Sequence, residues 1–263
     1  MGISLLQGVL LFASAFVAGM INSIAGGGTL LTFPTLIWLG LDAKEANATS
    51  TVALWPGLLG GLWGYRKEME NSRAYLIRLG IPSVIGGACG AWLLIATPTQ
   101  TFERLVPFLI LFATVLFMMQ ETISRRFRTG DSGDEVTAQP QTAWWATAIV
   151  FQFASSIYGG YFGAGNGIVM LAAFGLLGLT DIHRANGLKT FLGVCINFAA
   201  VLSFAATNLV VWPIAILMAV SAIAGGYCGA RVARVLGRAF VRRVIIVIGL
   251  TIGIVMLYRV NAS

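Results

Sequence analysis

The chain has 263 residues, 57% of them hydrophobic and 10% charged, against about 25% charged in soluble domains, which excludes an ordinary soluble enzyme. Its net charge of +7 gathers at Arg66, Lys67 and Arg73, at Arg125, Arg126 and Arg128, and at Arg231, Arg234, Arg238, Arg242 and Arg243. These are the basic cytoplasmic connections of a membrane protein, not a nucleic-acid surface.

Met1 to Leu41, Val136 to Thr180 and Thr190 to Ala230 contain no Asp, Glu, Lys or Arg over 41, 45 and 41 residues. About 20 apolar residues cross a bilayer as a helix, so each run is expected to fold back near its middle. In chain order, breaks at Gly, Pro and charge predict segments over 4–23, 27–41, 46–65, 74–97 and 103–121. After the polar stretch Glu121 to Thr142 come 143–162, 166–180, 186–206, 210–231 and 241–259. The second and seventh are short, and each glycine-interrupted pair reads either as two crossings or as one re-entrant hairpin. No basic residue precedes the first apolar stretch, so a cleaved signal peptide is not expected.

Sliding the chain against itself aligns three blocks at one offset of 139 residues. Gly26 and Gly28 fall on Gly165 and Gly167. Asp42, Ala46, Asn47 and Thr51 fall on Asp181, Ala185, Asn186 and Thr190. The stretch Gly86 to Ala91 falls on Gly225 to Ala230. Each repeat holds five segments, an odd number, so the second copy crosses in the opposite sense. The charges agree: the basic connection at 66–73 has an uncharged counterpart at 205–212, and the uncharged one at 97–102 has a basic counterpart at 231–243. The expectation is an all-α polytopic membrane protein, an inverted-topology repeat of two five-segment halves with glycine-broken or re-entrant helices. The first repeat covers 1–123, a cytoplasmic linker 124–142 and the second repeat 143–263; both termini lie outside.

Within a bilayer, broken helices are tolerated only where the released backbone groups are buried in protein or line a polar cavity. Two breaks meet that description: Asn22 to Thr29, with Gly26, Gly27 and Gly28, and Tyr158 to Gly167, with Gly165, Asn166 and Gly167. The helix resuming after each would offer N–H groups and the positive end of its dipole to an anion. A second constellation opens the third and eighth segments, where Asn47 and Thr51, and Asn186 and Thr190, share a face four residues apart. Lys189, where the first repeat has Ser50, begins an uncharged run and is a functional candidate as an intramembrane cation; snorkelling beside Arg184 is the alternative. Asp42 and Asp181 read as helix caps and His183 as an interfacial loop residue. The GxxxG-like faces at 57–61, 60–64, 86–90 and 225–229 read as helix packing that permits a homodimer. Trp38, Trp144, Trp145 and Trp212 read as interfacial belt residues. Cys89, Cys195 and Cys228 lie in apolar runs, and with one histidine neither a metal site nor a cofactor is expected.

At these motifs the chain resembles the TauE/SafE sulfite exporter-like permeases, also called the 4-toluene sulfonate uptake permease family. The resemblance rests on AGMINSIAGGGTLLTFPTLIWLGL (Ala18 to Leu41) with EANATST (Glu45 to Thr51), and on YGGYFGAGNGIVML (Tyr158 to Leu171) with DIHRANGLKT (Asp181 to Thr190). It implies an inner-membrane permease for a sulfur-containing anion such as sulfite, sulfoacetate, another organosulfonate or thiosulfate. Where the family commonly reads Gly-Thr-Asn-Lys, this chain has Ala48-Thr49-Ser50-Thr51, which implies a less charged substrate or reliance on Lys189 alone.

The expected function is therefore export of a sulfur oxyanion by alternating access. Backbone N–H groups, Asn22, Thr29, Asn47, Ser50, Thr51, Asn166, Asn186 and Thr190 hydrogen-bond it, and Lys189 supplies charge. A proton-coupled carrier or passive channel for another small anion is the alternative. No paired acids, metal cluster or nucleophile elbow suggests an enzyme.

Overall fold

The computed structural model describes residues 4–24, 27–66, 69, 72–128, 142–177, 179, 181–236 and 238–262, and these form helices and short turns without a strand. The helices are α1 (Leu5–Ile24), α2 (Thr29–Trp38), α3 (Ala43–Gly64), α4 (Arg73–Ala96), α5 (Thr99–Arg128), α6 (Thr142–Tyr161), α7 (Asn166–Leu176), α8 (Ile182–Ala205), α9 (Trp212–Leu236) and α10 (Arg238–Ala262). Every expected segment is a helix. Among the described residues, four stretches are long and apolar enough to cross a bilayer: Leu5–Asn22, Arg73–Ala96, Thr99–Met119 and His183–Ala205. With 10 and 11 residues, α2 and α7 reach only about 15–17 Å at 1.5 Å per residue, half of a ~30 Å hydrocarbon core.

Two expected boundaries are corrected. α5 continues through the start of the expected linker to Arg128, and 129–141 lie outside the described residues. The basic stretch 231–243, expected as a connection, is helical on both sides of residue 237. Arginine is a good helix former, so charge alone does not end a helix. Of the two expected acid caps, Asp181 Oδ1 accepts the N–H groups of His183 (2.8 Å) and Arg184 (3.3 Å), whereas Asp42 occupies the N-cap position of α3 without a side-chain hydrogen bond to it.

The helices pair in matched sets. α1 lies along α9 in the same direction, with Ser221 Oγ donating to Phe12 O and Gly225 against Phe16. α6 lies along α4 in the same way, with Gln152 Nε2 donating to Ser83 Oγ (2.8 Å) and Gly90 against Ile157. α3 runs antiparallel to α8: Gly187 sits on Tyr65 and Met69, Gly61 on Thr190, and Trp55 Nε1 donates to Val194 O (3.3 Å). α5 runs antiparallel to α10, placing Thr114 beside Gly249 and Leu111 beside Gly253. α2 packs on α10 as α7 packs on α5.

α6 and α7 form a tight antiparallel hairpin. Asn166 meets Ser155, Met170 meets Gln152, and the Trp144 indole donates to Leu177 O at 2.8 Å. Facing α3 and α8, a buried core includes Phe33, Phe102 and Phe162, whose rings stack edge to face with centroids 5.5 and 6.5 Å apart. The outer face of α4 presents Ile77, Ile81, Ile85 and Trp92 outward, the surface expected against lipid tails.

Close helix approach depends on missing side chains. A Cβ at Gly86, Gly87 or Gly90 on α4, or at Gly225 on α9, would overlap the facing helix backbone, while Gly60 faces open space. Gly90→Val is therefore expected to destabilise the protein by about 1–3 kcal/mol, and Gly60→Ala to be neutral or stabilising by up to ~1 kcal/mol. Thermal unfolding midpoints in detergent check both; equal midpoints for the two variants would contradict the packing account.

Candidate functional site

The two breaks are built by side chains that take over backbone groups the helices release. At the first, Asn22 Oδ1 accepts the N–H groups of Gly27 (2.8 Å) and Gly28 (2.7 Å). Gly27 has φ 131°, a region open to glycine alone, and a Cβ there would overlap the Phe117 ring. Gly28 rests on Ala18, so the chain has doubled back along α1. Of the N–H groups expected to be bare at the start of α2, Asn22 holds those of Gly27 and Gly28, and Leu30 and Leu31 donate to Gly27 O and Gly28 O. Gly26 lies outside the described residues.

At the second break Gly163 and Gly165 have φ 77° and 74°, and Gly165 is the N-cap of α7, so the turn needs glycine at both. Tyr158 Oη donates to Ala164 O. Ser155 Oγ donates to Asn166 Oδ1 at 2.7 Å, which fixes the amide and leaves its NH2 for the cavity. Gly159 makes room for that NH2, which lies 2.5 Å from where a Cβ would stand. Gly167 N–H has no acceptor among the described residues.

Between the breaks lies a cavity of about 70 Å³, walled by the middle turns of α3 and α8. About 10–15 Å³ on this measure holds one water, so there is room for a few non-hydrogen atoms. Of the expected residues, the cavity brings together Asn22, Gly27 and Thr29 from the first break, Asn166 and Gly167 from the second, Thr51 from α3, and Lys189 and Thr190 from α8. Lys189 is 6% exposed, and its Nζ donates to Asn186 Oδ1 at 3.1 Å. It is the charged residue of the lining, and no acid is among its neighbours there.

Other expected residues stand behind the lining. Gly28 is buried against α1 and Gly165 against Ala113 and Leu116 of α5. Asn186 serves as the acceptor for Lys189. Asn47 Nδ2 donates to Tyr161 O (3.0 Å), tying α3 to the second break. Ser50 Oγ lies 2.6 Å from Thr32 Oγ1, tying α3 to α2. Asn47 Oδ1 is the buried side-chain polar atom left without a partner among the described residues. Its counterpart Asn186 Oδ1 is satisfied by Lys189; in the first repeat that position is Ser50, which faces Thr32 instead.

Sequence reasoning missed Asn197, Gly193, Leu54 and Leu58 in the lining. The signal was present: Thr190, Gly193 and Asn197 recur at helical spacing on one face, and the repeat offset carries them onto Thr51, Leu54 and Leu58. It also gave Lys44 no role. Lys44 is buried, and its Nζ donates to Ile95 O and Thr97 O, both at 2.8 Å, capping the C-terminus of α4. Cys89 is exposed on α4, away from the cavity, and Cys228 lies outside the residues whose side chains are described. His183 is exposed, and Arg184 Nε donates to Ser72 Oγ (2.9 Å) with its guanidinium over Tyr75.

The family model for the sulfite exporter TauE/SafE matches residues 11–256. The chain belongs to the TauE/SafE family. Among TauE/SafE relatives, a protein from Haemophilus influenzae named "Probable membrane transporter protein" is 29% identical over 98% of this chain and 96% of its own. One from Sinorhizobium named "Probable membrane transporter protein ORF9" is 24% identical over 94% and 91%. One from Escherichia coli K12 named "Probable membrane transporter protein YfcA" is 24% identical over 97% and 90%. No solved structure matches the chain. Membership makes this a multi-pass membrane protein of a transporter family.

Asn22 tests the geometry of the first break. Asn22→Ala strands two N–H groups and is expected to cost about 1–3 kcal/mol. Asn22→Asp keeps an acceptor for both and so keeps more of the stability, but sets a negative charge in the cavity with Lys189. Thermal unfolding midpoints in detergent check this: Asn22→Ala is expected to melt below Asn22→Asp, and equal midpoints for the two would contradict this account of the first break.

Proposed function

We propose that the protein carries a sulfur-containing oxyanion such as sulfite, an organosulfonate or thiosulfate out across the cytoplasmic membrane by alternating access, and does no catalysis. The observation that carries the reading is Lys189, a buried cation in a mid-helix cavity between two helix breaks with no acid in the lining. A buried ammonium whose neighbour is one neutral amide oxygen is poorly compensated, and an anion entering the cavity supplies the missing charge. Asn22, Asn166 and the Gly167 N–H add donors around it, while the short helices α2 and α7 bring the breaks to the depth of α3 and α8 where the cavity lies.

The two halves, 1–123 and 143–263 joined by 124–142, are proposed as an inverted repeat that rocks around this site. Supporting this, α3 runs antiparallel to its counterpart α8 and α5 to α10, and the α1–α9 pair is matched by α6–α4. Cavity-lining positions also fall in offset pairs: Thr51 with Thr190, Leu54 with Gly193, Leu58 with Asn197 and Gly27 with Asn166. Both termini and the connection near Thr207 then lie outside, and the one near Met69 inside. In a background without native cysteines, Met69→Cys is expected to react with a membrane-impermeant thiol reagent only from the cytoplasmic side and Thr207→Cys only from the other. Reaction of both from one side would reject the inverted arrangement.

Transport is tested in proteoliposomes with sulfite, thiosulfate, sulfoacetate and a neutral control. Saturable flux of at least one anion is expected, falling tenfold or more in Lys189→Ala, since one charge-assisted hydrogen bond is worth about 1.5–3 kcal/mol and each 1.4 kcal/mol is a factor of ten. The same variant removes a buried, unpaired charge, so its unfolding midpoint should not fall. Undiminished flux in Lys189→Ala would reject the reading of the cavity, and flux that does not saturate would indicate a channel.

A further inference from the structure

Apart from the Thr29 hydroxyl, which can donate or accept, the polar side chains of the cavity divide into two sets. One set consists of donors: the Lys189 ammonium, which directs one proton at Asn186, and the amide NH2 groups of Asn22 and Asn166, whose oxygens are engaged by Gly27, Gly28 and Ser155. The other set offers lone pairs, and its two threonines have no proton left to give. Thr51 donates its hydroxyl proton to Asn47 O at 2.9 Å, and Thr190 donates its own to Asn186 O at 2.8 Å. Asn197 Nδ2 donates one proton to Gly193 O at 2.8 Å and keeps a second, so its amide brings an acceptor oxygen together with one further N–H. All three residues line the cavity. A hydroxyl has one proton and two lone pairs, so Thr51 and Thr190 present acceptors there, together with the Asn197 oxygen.

A fully deprotonated oxyanion brings only lone pairs and would leave this second set facing acceptors in a desolvated space, which is costly. Resting on the reading of the cavity as an oxyanion site, we propose that the anion it selects carries a hydrogen-bond donor of its own, as a protonated oxyanion or an amino- or hydroxy-substituted sulfonate does. Its oxygens lie toward Lys189, Asn22 and Asn166, and its N–H or O–H toward Thr51, Thr190 and Asn197. A metal cation bound beside the anion would satisfy the same lone pairs, but Lys189, adjacent to Thr190 and in the same cavity, opposes it.

Sulfamate and methanesulfonate make the comparison: both are monoanions built on a tetrahedral sulfur, and they differ by an NH2 in place of a CH3. Uptake into proteoliposomes is measured for each in sodium and in N-methylglucamine buffer. Sulfamate is expected to half-saturate at about a tenfold lower concentration in both buffers, and Thr190→Val and Asn197→Leu to bring that ratio toward one. Equal or tighter methanesulfonate uptake overturns the inference, as does a preference unchanged in both variants. Uptake of both anions that requires sodium overturns it in favour of a co-bound cation. Saturable sulfite flux with no sulfamate uptake overturns this inference alone, whereas absence of flux for every anion removes the underlying reading of the cavity.

Discussion

A helix broken in apolar surroundings must find partners for every backbone group it releases, because neither lipid nor a hydrocarbon-like core offers any. That requirement organises this molecule. Asn22 lies one turn before the first break and reaches forward to two amides. At the second break, Tyr158 reaches to Ala164 and Ser155 orients Asn166. Each of these side chains comes from the helix before the break, so each turn is held by its own preceding segment. The cavity is what remains between two turns stabilised in this way.

The surrounding scaffold is arranged to hold those turns at one depth. Gly90 of α4 lets Ile157 of α6 approach, and Gly225 of α9 lets α1 approach, so the helices bearing the breaks are clasped by glycine-faced partners. Asn47 and Ser50 tie α3 to both breaks, at Tyr161 and Thr32, without lining the cavity. They contribute position, and Thr51, Lys189 and Thr190 contribute polar groups to the cavity wall. The aromatic stack of Phe33, Phe102 and Phe162 closes the cavity wall beside the second break with a dry, dense layer.

The sequence made the helices legible because glycine, proline and charge punctuate long apolar runs, and the repeat offset gave the pairing of positions. Legibility failed where a residue type has two structural uses. Arginine can end a span or continue a helix, so 231–243 read as a connection although α9 and α10 run through it. Asn47 and Ser50 are polar in an apolar helix, and only coordinates reveal that Tyr161 and Thr32 are their partners. Asn197 was overlooked because it sits deep in an apolar run and has no polar counterpart in the first repeat, where Leu58 stands. Lys44 had no identical repeat partner or motif to mark it, and its role appears only in the fold, where it reaches the carbonyls at the end of α4.

The pairing of α1 with α9 also sets an order of assembly. The α6–α7 hairpin joins neighbours in sequence and can close as soon as its residues leave the ribosome. Phe12 and Ser221, by contrast, are 209 residues apart, and contacts of such separation form late because the intervening chain must first be confined. Throughout synthesis of the middle of the protein, the first break therefore exists without the helix that clasps it. The nascent protein must shelter a polar, glycine-faced segment inside the translocation machinery or against lipid until about its last fifth arrives. A chain halted before α9 would retain a complete second hairpin but would present α1 as an unpartnered face, the kind of surface by which membrane quality control can distinguish an unfinished protein from a finished one.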